Sequence, residues 1–390
     1  MNTELKEKSL KEKELKEKEL KEKELKGKSF KEKVLKEKSF KEKRKGRAVK
    51  GQLHTKPLVG FLGVGWIGRN RMEAIARSGM AEIAAIADPS RELVLQAKNL
   101  APQAKGMSSL KDMLSLDLDG IVIATPSAMH AEQAIIALER GVAVFCQKPL
   151  GRNEDETRQV IEAAKKNNRL LGVDLSYRYL KGMQSIKRIL DQGQIGNVFA
   201  VNLVFHNAYG PDKEWFYNPV LSGGGCVIDL GIHLVDLVLW AFNNPKVRNI
   251  SSHLFSHGER LVYNRDKVED FAAAKFELDN GATVSLTCSW KVSAGYDAII
   301  EASFFGTEGG LSLKNVNGSF YDFKAEHYRW TARETLSEPP DNWGPRAALN
   351  WLEQLSRSNY YHPEIEQIAN AASVIDGIYE AERNVLIKNE

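Results

Sequence analysis

The chain has 390 residues, with 55 Lys and Arg against 51 Asp and Glu, a formal net charge of +4. Residues 1–50 hold 20 basic and 11 acidic side chains, a net of +9, whereas residues 51–390 hold 35 and 40, a net of −5. The basic excess is therefore a property of the first segment, and it does not make the body a nucleic-acid binder. With 43% hydrophobic residues in the whole chain, few of them in that segment, the body has material for a normal core and length for two domains.

Three cysteines, Cys146, Cys226 and Cys288, show no CxxC spacing. A disulfide scaffold or a thiolate zinc site is not expected, no metal site is assigned, and a reducing compartment fits. No stretch is read as approaching the ~18–20 apolar residues of a membrane span. The opening Met1-Asn-Thr-Glu-Leu-Lys6 lacks the apolar core of a signal peptide. The expectation is a soluble, cytoplasmic protein with no membrane partner.

Residues 5–45 repeat every five positions, an apolar residue followed by a Lys-Glu-Lys-rich quartet, with Leu5, Leu10, Leu15, Leu20, Leu25, Phe30, Leu35 and Phe40 as the apolar set. On a helix, a step of five turns each apolar residue by about 140°, so they spiral and form no coiled-coil seam or membrane-facing stripe. Lys/Glu pairs at i,i+4 support a solvated helix by a few tenths of a kcal/mol each. Two readings stay open for residues 1–52: a disordered or solvated appendage, and a docking segment for an acidic partner. Gly46, Gly51 and Pro57 mark its end.

Leu58–Leu62 reads as a buried strand and Trp66–Ser78 as a helix, with Gly63-Val-Gly65-Trp66-Ile67-Gly68 between them. In this context the GxGxxG has a mechanism: the first glycine permits the turn, the second lets a pyrophosphate approach the backbone, and the third lets the helix pack on its strand. The next strand, 83–87, ends at Asp88, 20 residues beyond Gly68, where a carboxylate can bind the adenosine-ribose hydroxyls. Asp88 would also repel a 2′-phosphate, favouring NAD; Arg69 and Arg91 keep NADP open as the lesser alternative. As a helix cap before Pro89, Asp88 has a structural reading as well.

The alternation continues with helix 109–116, strand 120–125, helix 128–140, strand 142–146, helix 154–167 and strand 170–174. Continuous apolar strands between helices predict a parallel sheet covered on both faces, with ligands at the strands' carboxyl ends. There the chain places Thr125-Pro126 and Gln147-Lys148-Pro149. From spacing alone, Lys148 is equally a solvated loop residue or an ammonium held over the cofactor cleft.

Residues 226–240 read as a helix apolar nearly all round, whose titratable members Asp229, His233 and Asp236 are spaced i, i+4, i+7 and expected on one face. An unpaired polar ridge on a buried helix is unfavourable, so the ridge needs partners or a cavity. Open readings are a satisfied core pair, a metal site and an acid/base couple facing a substrate pocket. The glycines at 223–225 suggest free N–H groups for substrate hydroxyls. Stretches 247–255, 270–277, 282–290 and 297–305, with turns at 279–281 and 308–310, predict an antiparallel sheet packed on that helix. Its other face is a candidate for homodimer or homotetramer formation. Helices at 347–354 and 363–387 close the chain.

In this order, Gly63–Gly68, Ala124-Thr125-Pro126 with His130, Cys146-Gln147-Lys148-Pro149, and Gly223–Trp240 with DxGxHxxD resemble the Gfo/Idh/MocA oxidoreductases over residues 57–388. The resemblance implies an α/β fold: a Rossmann-type doubly wound parallel sheet (53–175) and a C-terminal α+β domain with a mostly antiparallel sheet (176–390). It further implies Lys148, Asp229 and His233 as the catalytic group. The cofactor, NAD or less favourably NADP, would lie on Gly63, Gly65, Trp66, Ile67, Gly68, Asp88, Thr125, Pro126, His130, Gln147 and Lys148. A sugar or cyclic polyol would lie between the domains, with His233 taking its hydroxyl proton and Asp229 orienting His233. Arg178, His206, Tyr209 and Trp215 are weaker candidates for the substrate wall.

One departure stands out. The family pattern is usually Glu-Lys-Pro, and Gln147 removes that charge from beside Lys148, so either the site is tuned differently or a partner comes from elsewhere. Alternatives of other kinds are a non-catalytic NAD-sensing scaffold and NAD-assisted glycoside cleavage.

Overall fold

A computed structural model describes residues 56–261 and 266–387; the repeat segment lies outside the described residues. The first sheet contains β1 (Leu58–Leu62), β2 (Glu82–Ala87), β3 (Lys105–Met107), β4 (Gly120–Ile123), β5 (Ala143–Cys146) and β6 (Leu171–Val173). Its order is β3-β2-β1-β4-β5-β6, and every pairing is parallel, the order of a dinucleotide-binding sheet. The crossovers carry α1 (Trp66–Ser78), α2 (Arg91–Lys98), α3 (Leu110–Met113), α4 (Ser127–Glu139) and α5 (Glu154–Lys166). Local chemistry sets their ends. Ser90 caps α2 by accepting from Leu93 N–H, and Asn153 caps α5, whose first turn is acidic and whose last turn carries Lys165 and Lys166.

The short strand β3 was not foreseen, because three residues give no periodicity to read. More consequential is a late helix, α9 (Arg346–Arg357), which returns to the first sheet. Trp351, Leu352 and Leu355 join the cluster of Phe61, Val122 and Phe145. Gly120 and Gly172 make room for it: a Cβ on either would come 2.7 Å from the Trp351 ring. The boundary at 175/176 therefore divides the sequence but not the core.

The second sheet has nine strands in the order β15-β14-β13-β12-β7-β11-β10-β8-β9. They are β7 (Val198–Asn207), β8 (Val247–Ser256), β9 (Glu259–Arg260), β10 (Phe271–Leu278), β11 (Thr283–Ser289), β12 (Ala298–Gly306), β13 (Gly310–Asn315), β14 (Phe323–Arg329) and β15 (Ala332–Ser337). The four stretches expected as strands are β8, β10, β11 and β12. The sheet is mostly antiparallel, but β7 pairs with β11 in parallel, so it is mixed. That central strand went unread although Val201, Leu203 and Phe205 alternate toward the core.

On the inner face lie α6 (Lys181–Asp191), α8 (Ile232–Ala241) and α10 (Ile368–Ile387), whereas the short α7 (Pro219–Ser222) packs against α4. The helix expected over 226–240 is two segments: a π-helical turn at Val227–Gly231 runs into α8. The continuous run Pro219–Ala241, with a mean hydropathy of 1.6, is long and apolar enough to cross a membrane, which corrects the reading that no stretch approaches that length. Its apolar character serves a core helix, since that window is 83% buried within the protein.

Candidate active site

The glycine loop leaves β1 at the carboxyl edge of the first sheet. Gly63 has φ 84°, and a Cβ there would come 2.5 Å from the Ala124 carbonyl oxygen; a Cβ on Gly68 would come 2.2 Å from that of Gly63. Both glycines are required by packing. Gly65 differs, because nothing lies within 4 Å of its Cβ position, and it lines an open cleft of about 1140 Å³. It also stands at the cap position of α1, where no side chain caps the helix and no acid occupies the first turn. Free N–H groups beside an unobstructed backbone fit a pyrophosphate. Asp88 accepts from Val64 N–H (2.9 Å) and Ser90 N–H (2.9 Å), which holds its carboxylate at the cleft edge. Arg69 is turned to Gln96.

Lys148 and Asp229 meet across this cleft. The Lys148 ammonium donates to the Asp229 carboxylate Oδ1 (2.7 Å) and to its backbone oxygen (2.7 Å). The other carboxylate oxygen, Oδ2, accepts from Trp290 Nε1 (3.1 Å). The negative charge missing at Gln147 is thus supplied to Lys148 by Asp229. His233 lines the same cleft with its ring 4.9 Å from that of Tyr177, and its Nδ1 is buried without a hydrogen-bond partner among the described residues. Burial holds its pKa well below 6.5, and the nearby positive charges of Lys148 and Arg71 push the same way.

This geometry agrees with comparisons to known proteins. The family profile described as "Oxidoreductase family, NAD-binding Rossmann fold" matches residues 58–175, and "GFO/IDH/MocA C-terminal domain" matches residues 183–312. The chain belongs to the Gfo/Idh/MocA oxidoreductase family. It is 26% identical over 235 residues to D-glucoside 3-dehydrogenase of Escherichia coli K12, covering 56% of this chain and 66% of that protein. It is 27% identical over 259 residues to inositol 2-dehydrogenase 3 of Saccharopolyspora erythraea, covering 65% and 72% respectively. Among solved structures, levoglucosan dehydrogenase in complex with NADH and levoglucosan superimposes with a TM-score of 0.71 at 19% identity, over 85% of this chain and 98% of that one.

Against the Gfo/Idh/MocA pattern, the Gln147 environment is distinctive. Gln147 donates through Nε2 to Asp174, which also accepts from Arg71 Nε (2.6 Å) and Ser176 Oγ (2.5 Å). Side-chain exposure of Arg71 and Asp174 is 7% and 0%, so this is a buried, fully engaged ion pair in the wall of the cleft. Neither residue was singled out from sequence. The available signals were an arginine on the inward face of α1 and a carboxylate just past the carboxyl end of β6.

Several expected site residues are placed otherwise. Asp236 is buried against Arg178, which donates from Nε (2.7 Å) and Nη2, so neither lines the cleft. The single polar face expected for Asp229, His233 and Asp236 fails: the π turn alters the register between Asp229 and His233, and Asp236, three residues on in α8, meets Arg178 instead of the cleft. Asp229 is directed to Lys148 and Trp290, and it does not orient His233. His206 is bonded to Ser289 and stacked on Phe271, and Tyr209 donates to Asp297; both lie away from the cleft lining. Trp215 does line it, stacked on Phe216 with ring centroids 3.8 Å apart.

His130 is buried at the cleft wall, with Nδ1 2.7 Å from the Pro149 oxygen and Nε2 2.6 Å from the Thr125 oxygen. Both ring nitrogens face backbone carbonyl oxygens, and the neutral ring donates to one of them, so it ties the loops after β4 and β5 together rather than offering a polar atom to a ligand. The glycines at 223–225 also have a packing explanation. Gly225 N–H donates to Glu269, and a Cβ on Gly224 would come 2.0 Å from the Tyr379 hydroxyl. Trp66, Ile67, Thr125, Pro126, Gln147 and Lys148 all line the cleft beside the glycine loop.

Proposed function

We propose that this chain oxidises or reduces a ring carbon of a sugar or cyclic polyol with NAD, with Lys148, Asp229 and His233 as the catalytic group. The observation that carries the reading is their convergence on the cleft that also holds Gly65 and Asp88. The residues present fit a dinucleotide: uncapped N–H groups at α1, an unobstructed Gly65, and a carboxylate at Asp88 that disfavours a 2′-phosphate. When bound there, NAD supplies the hydride acceptor.

Within that frame the chain's own groups have complementary tasks. An ammonium has three donors, and Lys148 spends two on Asp229, leaving one for the substrate oxygen and the charge that develops on it. Nδ1 of His233 is enclosed, so the hydroxyl proton goes to Nε2, and the depressed pKa keeps the ring in its accepting form at neutral pH. Asp229 holds Lys148 in position. Supporting the remaining expectations, the three free, buried thiols suit a reducing, cytoplasmic setting. The outer face of the second sheet, with Val204, Thr287 and Ile299 half-buried, suits self-association.

The test is a panel of sugars, glycosides and inositols with NAD and with NADP, followed by reduced-cofactor absorbance and by product analysis. Reduced cofactor with an oxidised product is expected. Absence of reduced cofactor across the panel in a protein that binds NAD would sink the reading, and light scattering of the purified chain decides the oligomeric claim.

A further inference from the structure

We infer that the substrate end of the cleft takes an uncharged, phosphate-free sugar whose substituent rests on Trp215 and Tyr321; the inference rests on the oxidoreductase reading above. The charge inventory leads to it. Among the described residues lining the cleft there are three cations, Arg71, Lys148 and Lys213, against five carboxylates, of which Asp88 lies at the cofactor end and Asp341 is paired with Arg346. Each cation already has an anionic partner. Arg71 is held by Asp174 at 2.6 Å, Lys148 by Asp229 at 2.7 Å, and Lys213 by Asp212 at 3.1 Å.

Phosphate groups are also bound by helix N-termini, and several line the cleft. Those of α1, at the glycine loop, and α4, at Pro126, lie among the cofactor residues, and that of α9 begins at Pro345 without a side-chain cap. The one entering the π turn at Val227 is already occupied. The buried Glu269 carboxylate accepts from Gly225 N–H and Val227 N–H, its backbone oxygen accepts from Cys226 N–H, and the Tyr379 hydroxyl donates to it as well. A phosphate at the substrate end would therefore meet the Asp212 and Asp229 carboxylates and find no cation among the described lining residues that lacks an anionic partner.

What that end does offer is aromatic surface. Trp215 stacks on Phe216, and Tyr321 is 58% exposed on a loop fastened by Trp343 Nε1 donating to the Tyr321 oxygen at 2.9 Å. Flat rings on two separate segments of one cleft suit the C–H face of a sugar ring or an apolar aglycone, and they carry no charge to satisfy.

The experiment titrates the full chain, saturated with NAD, with matched pairs: a free sugar and its methyl and phenyl glycosides against the 1-phosphate and nucleoside-diphosphate ester of the same sugar. The uncharged member of each pair is expected to bind about tenfold or more tightly, and added salt should improve binding of the anionic member by screening repulsion. Trp215→Ala should raise the KM for the phenyl glycoside more than for the free sugar, and Asp212→Asn, which releases Lys213, should narrow the gap within a pair. An anionic ester that binds as tightly as its uncharged partner, or that salt weakens, overturns the inference; so does a failure of every uncharged sugar to bind. Cofactor reduction is read separately: a glycoside that binds without reducing NAD refutes the oxidoreductase reading and leaves the charge assignment standing.

Discussion

Lys148 and Asp229, 81 positions apart in the chain, join end to end: the ammonium of one lies 2.7 Å from a carboxylate oxygen of the other. The contact links the carboxyl end of β5 to the π turn before α8, and so links the dinucleotide-binding sheet to the helix behind the second sheet. With both side chains less than a fifth exposed, the pair is partly desolvated and its geometry should matter.

Lys148→Met and Asp229→Asn should each lower kcat by about 10²–10³-fold, the loss typical of removing one electrostatic stabiliser of a transition state. NAD affinity, measured by fluorescence titration, should stay near that of the unaltered chain, because neither side chain is needed at Gly65 or Asp88. Turnover within twofold of normal in Lys148→Met would remove Lys148 from the mechanism.

His233 gives a pH prediction. Its folded pKa is depressed by burial, so the neutral, proton-accepting ring persists below the usual 6.5. The acid limb of kcat/KM should therefore lie below pH 6.5, and His233→Ala should abolish most turnover. The same depression has a stability consequence. The unfolded chain protonates this histidine near 6.5 while the folded chain resists, so its contribution is present above that pH and falls as pH drops through it. His130, also depressed by burial, acts in the same direction. Urea midpoints measured from pH 7.5 down to 5 should decline; a flat profile would contradict both assignments.

Gln147→Glu would restore the residue usual in the family, yet here it should be harmful. It places a second carboxylate against the buried Asp174, which already serves Arg71 and Ser176. A loss of about 1–3 kcal/mol at neutral pH is expected, from the lost donor and like-charge burial. The double variant Gln147→Glu with Asp174→Asn should recover more than half of it, a coupling that denaturant unfolding of all four chains measures directly. Independent, additive effects would show that the two positions do not communicate.

Cofactor choice rests on Asp88. Asp88→Ser should raise the KM for NAD about tenfold and improve relative use of NADP, since a carboxylate no longer opposes the 2′-phosphate. An unchanged ratio of the two cofactors would confine Asp88 to its bonds with Val64 and Ser90 N–H.

A chain beginning at Leu53 should keep the unfolding temperature and kcat of the full chain, as the described core begins with β1 at Leu58. Loss of activity in a truncated chain that still unfolds cooperatively would give residues 1–52 a catalytic part.

The first sheet was legible because its signals are local. An apolar run of four to six residues, a glycine at a forced turn and a capping side chain each act within a few positions, and β1, β2, β4, β5 and β6 follow from them. So did the glycine loop, Asp88 and Lys148, which sit where a strand ends. Four strands of the second sheet were likewise readable from alternation, whereas β7, set among helices and loops, was passed over despite its inward Val201, Leu203 and Phe205.

The +9 segment and the −5 body, the order of the motifs and the family likeness are all properties of the sequence itself. The pairings are not. Whether Asp229 serves His233 or Lys148 depends on one π turn, and whether Arg178 faces a substrate depends on Asp236 meeting it 58 positions away. The partner of Gln147 lies 27 positions on, and that of Trp351 lies in glycines far upstream. Side-chain type and spacing set which groups can carry charge or protons. Which charge meets which is decided by packing at long sequence separation, where desolvation makes each buried polar group take the partner that the fold brings to it.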